Sequence, residues 1–172
     1  MFKSGTEQSG RSMVEMLGVL AIIGVLSVAG IAGYSKAMAK FKQSKLFDQI
    51  ATIVANIRTT YAAQPSYQGL NTQVLASLGL ADKEAVVSGS SGSYTIHNVY
   101  GGEIECASYA NYNTFNLYFR GIPKDACAAV VFAFYDDYAL QALYINGTTT
   151  PTITEQAAKC NQATNTIWFV YK

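Results

Sequence analysis

The sequence contains little charge. Asp, Glu, Lys and Arg make up 13% of its 172 residues, about half the share of roughly 25% that is usual in soluble domains. The 12 basic and 11 acidic residues leave a net charge of +1, so the chain lacks the strong positive field of a nucleic-acid-binding surface. Nucleic acid is therefore not expected as a main partner. The length allows one core with an appended element and excludes a large multidomain protein.

Residues suited to catalysis or metal binding are also scarce. The one histidine, His97, lies in a strand-like run without a second ligand nearby, and no phosphate loop, dinucleotide fingerprint or nucleophile elbow is present. Asp136 and Asp137 are neighbours whose side chains point apart, which favours a solvated loop over a cation site. We predict that the chain is not an enzyme and has no cofactor or metal. Its three cysteines allow one disulfide in any of three pairings.

One stretch is long and wholly uncharged. Twenty residues from Met16 to Ser35 carry no charge, and as a helix they would span about 30 Å, the thickness of the hydrocarbon core of a bilayer. Proline is absent from 11–63 and first occurs at Pro65, which predicts one long helix over 11–63. Its first half is apolar all round and predicts a membrane segment over 16–35. Its second half is amphipathic, with apolar residues at helical spacing: Leu46, Ile50, Ile53, Ile57 and Tyr61.

The remaining residues, 64–172, contain short helical and strand-like runs. Predicted helices cover Thr72–Leu78 after an Asn71 cap, Pro123–Phe134, and Glu155–Cys160 after a Thr154 cap. Predicted strands cover Tyr94–Val99, Ile104–Tyr109, Thr114–Arg120, Leu140–Ile145 and Thr166–Tyr171. The predicted fold class is α+β, with a long N-terminal helix packed on a globular head built around an antiparallel sheet.

Glu15 is a carboxylate at the edge of the apolar helix, where burial costs roughly 2.5 kcal/mol or more unless the charge is paired. Gly10 lies five residues before it, and the apolar run follows at once. This order of residues resembles the class III signal of type IV prepilins. The resemblance implies that a prepilin peptidase removes the leader 1–10 by cutting after Gly10, and that the new N-terminus at Arg11 is methylated. In a staggered stack of helices the new amine of one subunit can pair with Glu15 of another.

The resemblance also implies a function, partners and a location. The chain would be a structural subunit that waits in the inner membrane with its head in the periplasm and then enters an extracellular helical filament. The implied partners are copies of itself, the prepilin peptidase, an inner-membrane platform with its ATPase, and an outer-membrane secretin. The lysines conflict with this orientation, because Lys36, Lys40, Lys42 and Lys45 follow the apolar run and the positive-inside rule would place them in the cytoplasm.

The head resembles one subgroup of that family. The run from Gly121 to Cys127, together with Cys160 and the following 165–169, is similar to the helix and last strand that a disulfide joins in type IVb pilins. The run from Asn98 to Ile104 resembles the first part of their sheet. The resemblance implies a Cys127–Cys160 disulfide and leaves Cys106 as a buried thiol.

Three alternatives remain open on sequence grounds. A pseudopilin of a type II secretion system would share the N-terminal signal. A secreted domain with a conventional signal peptide would be cut near Ala32, although this would leave Gly10 and Glu15 unexplained. A membrane-tethered enzyme would need a group of catalytic side chains in the head, and the sequence offers none.

Overall fold

A computed structural model describes residues 8–89, 92–109 and 113–172, and gives only the backbone of 8–12. The chain forms two compact units, Met1–Phe41 and Lys42–Lys172. The helices are α1 (Gln8–Tyr61), α2 (Thr72–Ser77), α3 (Lys124–Phe134) and α4 (Ile153–Ala158), and a 3₁₀ turn covers Lys83–Ala85. The strands are β1 (Val86–Ser88), β2 (Tyr94–His97), β3 (Glu103–Tyr109), β4 (Thr114–Pro123), β5 (Leu140–Ile145) and β6 (Thr164–Tyr171).

Helix α1 is continuous over 54 residues, as the absence of proline predicts. It ends at Tyr61, two residues before the predicted end, in a turn where the Gln64 amide donates to the Tyr61 carbonyl at 2.9 Å. The second half of α1 belongs to the larger unit, which we call the head unit. The predicted apolar stripe is buried there: Leu46, Ile50, Ile53, Ile57 and Tyr61. The amphipathic pattern thus correctly identified the face of α1 that packs on the head core.

The described strands form one antiparallel sheet in the order β1-β2-β3-β4-β6-β5. Side chains alternate across it because successive residues of a strand point to opposite faces. Phe115, Leu117 and Phe119 of β4 pair with Tyr171, Phe169 and Ile167 of β6, and all six are fully buried in the core. The α+β class, the long helix and the antiparallel head agree with the prediction.

The opposite face of the sheet carries an aromatic ladder. Tyr118, Trp168 and Tyr144 are cross-strand neighbours on β4, β6 and β5. The ring centroid of Trp168 lies 5.2 Å from that of Tyr118 and 4.3 Å from that of Tyr144, with interplanar angles of 25° and 21°. Such cross-strand aromatic pairs each stabilise a sheet by roughly 0.2–1 kcal/mol, so the ladder ties the three strands together.

The structure corrects several predicted boundaries. Strand β4 continues past Arg120 to Pro123, because Gly121 adopts φ 71° and the register shifts between Phe119 and Ile122; a glycine bulge lets a strand bend and continue. Pro123 is consequently the residue before α3 and still belongs to β4, rather than opening the helix.

Two further elements differ from the prediction. Strand β1 is absent from the predicted strands, because its last residue, Ser88, begins a Ser/Gly-rich stretch whose composition favours a loop. Helix α4 begins at Ile153, and its cap is Thr152 rather than Thr154: the Thr152 hydroxyl accepts from the Glu155 amide at 3.3 Å. Thr152 and Glu155 have the spacing of a capping box, which favours the earlier start.

Candidate functional site

The first unit exposes a continuous apolar surface. Its large apolar side chains from Met13 to Tyr34 are 52–71% exposed, and α1 is the one described helix long and apolar enough to cross a membrane, by length and composition. A signal sequence would pass the same test. Ordinary monomeric proteins rarely expose apolar patches above a few hundred Å², so this surface requires lipid or other protein around it.

Glu15 is the one charged residue between Met13 and Ser35. Its side chain is exposed at the N-terminal end of the apolar surface. Gly10 and Arg11 lie in the first turns of α1, and their side chains are outside the described part of the structure, as is most of the predicted leader. The helix therefore carries the candidate carboxylate one turn after the candidate cleavage position.

The two serine hydroxyls within the apolar segment are satisfied by the helix itself. The hydroxyls of Ser27 and Ser35 donate to the carbonyls of Ile23 and Ile31, both at 2.7 Å. In hydrocarbon an unpaired hydroxyl costs several kcal/mol. This local pairing allows both serines to enter a membrane or a helix bundle.

A disulfide joins α3 to the residues just after α4. Cys127 and Cys160 are bonded, with their Cα atoms 5.8 Å apart, and both are buried. This is the pairing that the resemblance implied. The bond closes the segment between them into a loop that contains most of α3 and all of β5 and α4. It therefore constrains the C-terminal third of the chain.

Two buried amides reinforce the same region. Gln156 is fully buried; its Oε1 accepts from the Thr150 amide at 2.6 Å, and its Nε2 donates to the Thr148 carbonyl at 3.0 Å. Asn165 donates to the Ile122 carbonyl at 3.3 Å and accepts from Asn146 at 2.9 Å. Both are polar residues that the sequence pattern did not single out, because glutamine and asparagine usually face solvent.

A second polar cluster fixes the turn between β2 and β3. Asn98 is buried; its Nδ2 donates to the Arg120 carbonyl at 2.7 Å, and its Oδ1 accepts from the Tyr100 amide at 2.8 Å. Gln49 of α1, also buried, accepts from the Val99 amide at 3.1 Å. The cluster thus connects the second half of α1 to the sheet.

Arg120 and Glu105 form a bidentate pair on the outer face of the sheet. Nε and Nη2 of Arg120 donate to the two carboxylate oxygens at 3.0 and 2.9 Å. These hydrogen bonds and the carboxylate charge raise the pKa of Arg120. Both side chains are more than 40% exposed, so we expect the pair to contribute no more than about 1 kcal/mol.

Cys106 is a free thiol on β3. It is 4% exposed, and burial raises its pKa to about 12. Thr72 lies beside it and exchanges hydrogen bonds with its backbone: the Cys106 amide donates to the Thr72 hydroxyl at 3.0 Å. The thiol is a small apolar member of the core, as predicted.

The side chains that could act in catalysis or metal binding lie apart from one another in the described part of the structure. The His97 ring nitrogen Nδ1 lies 3.3 Å from the Gly101 carbonyl oxygen, and Asp137 accepts from the Ala139 amide at 3.0 Å. Among the residues that the structure describes, no group of three or more His, Cys, Asp or Glu side chains is placed to hold a metal ion. An open groove of about 900 Å³ lies beside Arg58 and Tyr138. Its lining contains no nucleophile paired with a base.

Comparison with known proteins identifies the head. The model of the PilS N-terminal family matches residues 40–172. The structure is similar to that of a type IVb pilin from Salmonella typhi, with a TM-score of 0.59 and 23% identity over 75% of this chain and 98% of that one. It is also similar to TcpA, a type IV pilin from Vibrio cholerae El Tor, with a TM-score of 0.55 and 15% identity over 76% and 99%. A search of curated protein sequences found no match.

The two structural similarities show the fold, and the match to the family model shows the family. The match covers more than three quarters of the chain but begins at residue 40, so it is independent of Gly10, Arg11 and Glu15. The N-terminal motif and the head therefore point to the same family from separate residues. The chain belongs to the PilS N-terminal family and is a type IVb-like pilin, a structural protein with a pilin fold.

Proposed function

We propose that this protein is a structural subunit of a type IV pilus, which is assembled from the inner membrane into an extracellular helical filament through its N-terminal helix. The observation that supports this most strongly is the apolar surface of the first unit, 52–71% exposed at its large side chains. Before assembly, lipid would cover this surface. After assembly, the same surface on neighbouring copies would cover it.

The proposal gives Gly10 and Arg11 a role in processing. A prepilin peptidase would cut between them, remove the leader 1–10 and leave an α-ammonium group at Arg11, which would then be methylated. Arg11 stands where the family usually has an apolar residue, so the processed N-terminus would carry a second positive charge. Both charges would lie within one and a half turns of the Glu15 carboxylate.

Glu15 would set the register between subunits. In a bundle of apolar helices an unpaired carboxylate costs roughly 2.5–3.5 kcal/mol, and pairing with the N-terminal ammonium of a neighbour would offset this cost. Removing one member of such a buried pair costs about 3–5 kcal/mol, because the other charge is left unpaired. The pair would therefore select one axial stagger among the many that apolar contacts alone allow.

Several partners follow from this function. The subunit would be processed by the prepilin peptidase, extracted by an inner-membrane platform and its assembly ATPase, and exported through an outer-membrane secretin. Before assembly it would be a single-pass inner-membrane protein with a periplasmic head. The disulfide is consistent with that location, because disulfides persist in oxidising compartments such as the periplasm.

The test compares Glu15→Ala with wild type in cells that assemble the filament. We expect the variant to be processed normally, because the cleavage position is unchanged, and to yield at least tenfold fewer filaments. Glu15→Gln keeps the size and removes the charge, so it should assemble as poorly as Glu15→Ala. Val14→Ala changes the residue directly before Glu15 and is the matched control, which should assemble like wild type.

Quantitative mass spectrometry of sheared filaments and of membranes separates processing from assembly. Wild-type filament yield from Glu15→Gln would show that the charge does not set the register. Absence of this chain from any surface filament, with abundant processed protein in the membrane, would favour a pseudopilin of a type II secretion system over a pilus subunit.

A further inference from the structure

Two lysines follow directly on the uncharged run. Lys36 is the first residue after Ser35, and Lys40 lies four residues further on; both are exposed. No acidic residue occurs between Met16 and Phe47. Among the described residues neither lysine has an ion-pair partner, whereas in the head unit Lys45 lies 3.6 Å from Glu84, and Lys42 lies 5.9 Å from the Tyr100 ring centroid. The first unit thus ends in two positive charges without a protein counter-charge.

Their axial position matches the headgroup layer of a bilayer. The twenty uncharged residues span about 30 Å as a helix, so Lys36 would lie at the edge of the hydrocarbon core. Lys40 would lie about 6 Å further out, and the headgroup region adds roughly 5–7 Å on each side. A spacing of four residues puts both side chains on one face of the helix. Lysine side chains are long enough to extend along the helix and place their ammonium groups at the lipid phosphates.

The same turns carry two exposed aromatic side chains. Tyr34 is 68% exposed and Phe41 is 61% exposed. A spacing of seven residues places them on one helix face, and that face lies about 160° around the helix from Lys36. Aromatic residues are enriched where membrane meets water, because their rings suit the headgroup level. The segment 34–41 therefore has the composition of a membrane interface, with aromatic side chains on one side of the helix and lysines on the other.

We propose that Lys36 and Lys40 bind the phosphate groups of anionic phospholipids in the leaflet from which the head emerges, and so hold the unassembled subunit at a fixed depth. The proposal rests on the proposed function, since it requires the apolar segment to span a membrane. It gives a role to the positive charges that contradict the positive-inside rule. Extraction into a filament then requires these contacts to break, so the lipid contacts oppose release of the subunit from the membrane.

The test measures lipid preference on the purified full chain. Native mass spectrometry in detergent, with phosphatidylglycerol and phosphatidylcholine added in equal amounts, gives the ratio of the two bound lipids. Each lysine near an anionic surface favours binding about fivefold, so two give a preference of roughly 30-fold. We expect Lys36→Gln and Lys40→Gln each to lower the preference about fivefold, and the double variant to bring it near one.

The control is Lys83→Gln with Lys124→Gln, which removes two exposed lysines of the head unit and changes the net charge equally. It should keep the wild-type preference. A wild-type preference in the Lys36→Gln/Lys40→Gln variant, or an equal loss in the control, would overturn the proposal. This readout needs no filament, so a chain that prefers phosphatidylglycerol through these lysines but never enters filaments would refute the proposed function alone.

Discussion

Reduction of the Cys127–Cys160 disulfide tests how the head resists unfolding. The bond spans a sequence separation of 33 residues, and it restricts the unfolded chain more than the folded one. The entropy of closing a loop of that length corresponds to about 3.7 kcal/mol at 25 °C. The oxidised head should therefore be more stable than the reduced head by this amount, which is roughly a 500-fold change in the unfolding equilibrium constant.

The assay is urea unfolding of the full chain in mild detergent, followed by the fluorescence of Trp168. This is the one tryptophan, and its stacking between Tyr118 and Tyr144 in the aromatic ladder will be lost on unfolding. Comparing oxidised with reduced wild type changes only the bond and two hydrogens. Cys127→Ala/Cys160→Ala should lose at least as much stability, and it should not respond to reductant.

The reasoning would be refuted by a difference below about 1 kcal/mol between the oxidised and reduced heads. That result would mean that the buried amides Gln156 and Asn165, with the packing of α3, already hold the C-terminal region without help from the bond. Repeating the comparison in Cys106→Ala shows whether the third thiol contributes to the difference in stability between the oxidised and reduced heads.

Two further predictions concern backbone packing and thiol chemistry. A Cβ on Gly102 would meet the Arg120 carbonyl carbon at 2.6 Å and collide with its oxygen, so Gly102→Ala should destabilise the head by roughly 3 kcal/mol or more in urea unfolding. Gly69→Ala, where a Cβ meets open space at φ 82°, should cost only about 1–2 kcal/mol; equal losses would show that the close approach is unimportant. Because burial raises the pKa of Cys106 to about 12, native Cys106 should react with iodoacetamide at pH 8 roughly 1,000-fold more slowly than in urea; equal rates by peptide mass spectrometry would contradict its burial.

The elements that the sequence predicted best have strong local signals. The stripe from Leu46 to Tyr61 has helical spacing over four turns, and it correctly identified the buried face of α1. The cap at Asn71 is confirmed by its Oδ1, which accepts from the Val74 amide at 3.0 Å. The dipeptide Asn146-Gly147, a typical hairpin-turn sequence, follows the predicted strand Leu140–Ile145, and both residues adopt positive φ. In each case residues close in sequence determine the structure.

The elements that were missed depend on residues distant in sequence. Strand β1 has only three residues and forms because it pairs with β2, at Val86 with Ile96 and Ser88 with Tyr94. The buried roles of Asn98 and Gln156 depend on carbonyl groups that the fold brings beside them, such as that of Arg120. The disulfide is an intermediate case, because counting cysteines left three pairings open and only the resemblance favoured one.

The same contrast between local signals and distant contacts applies to the candidate site. Gly10, Arg11 and Glu15 could be proposed from the sequence alone because a cleavage signal is a linear motif, and their roles stay predictions. What Glu15 contacts in a filament depends on a second copy, and the structure of one chain describes only its exposure on α1. The role of Glu15 in assembly therefore stays a prediction, as does its partner.

The N-terminus of the mature protein tests the central claim most directly. Intact mass and N-terminal sequencing of the chain recovered from sheared surface filaments should give a protein that begins at Arg11, with a methyl group on its amine and the Cys127–Cys160 disulfide intact. A mature chain that begins at Met1, or after Ala32, would contradict the account.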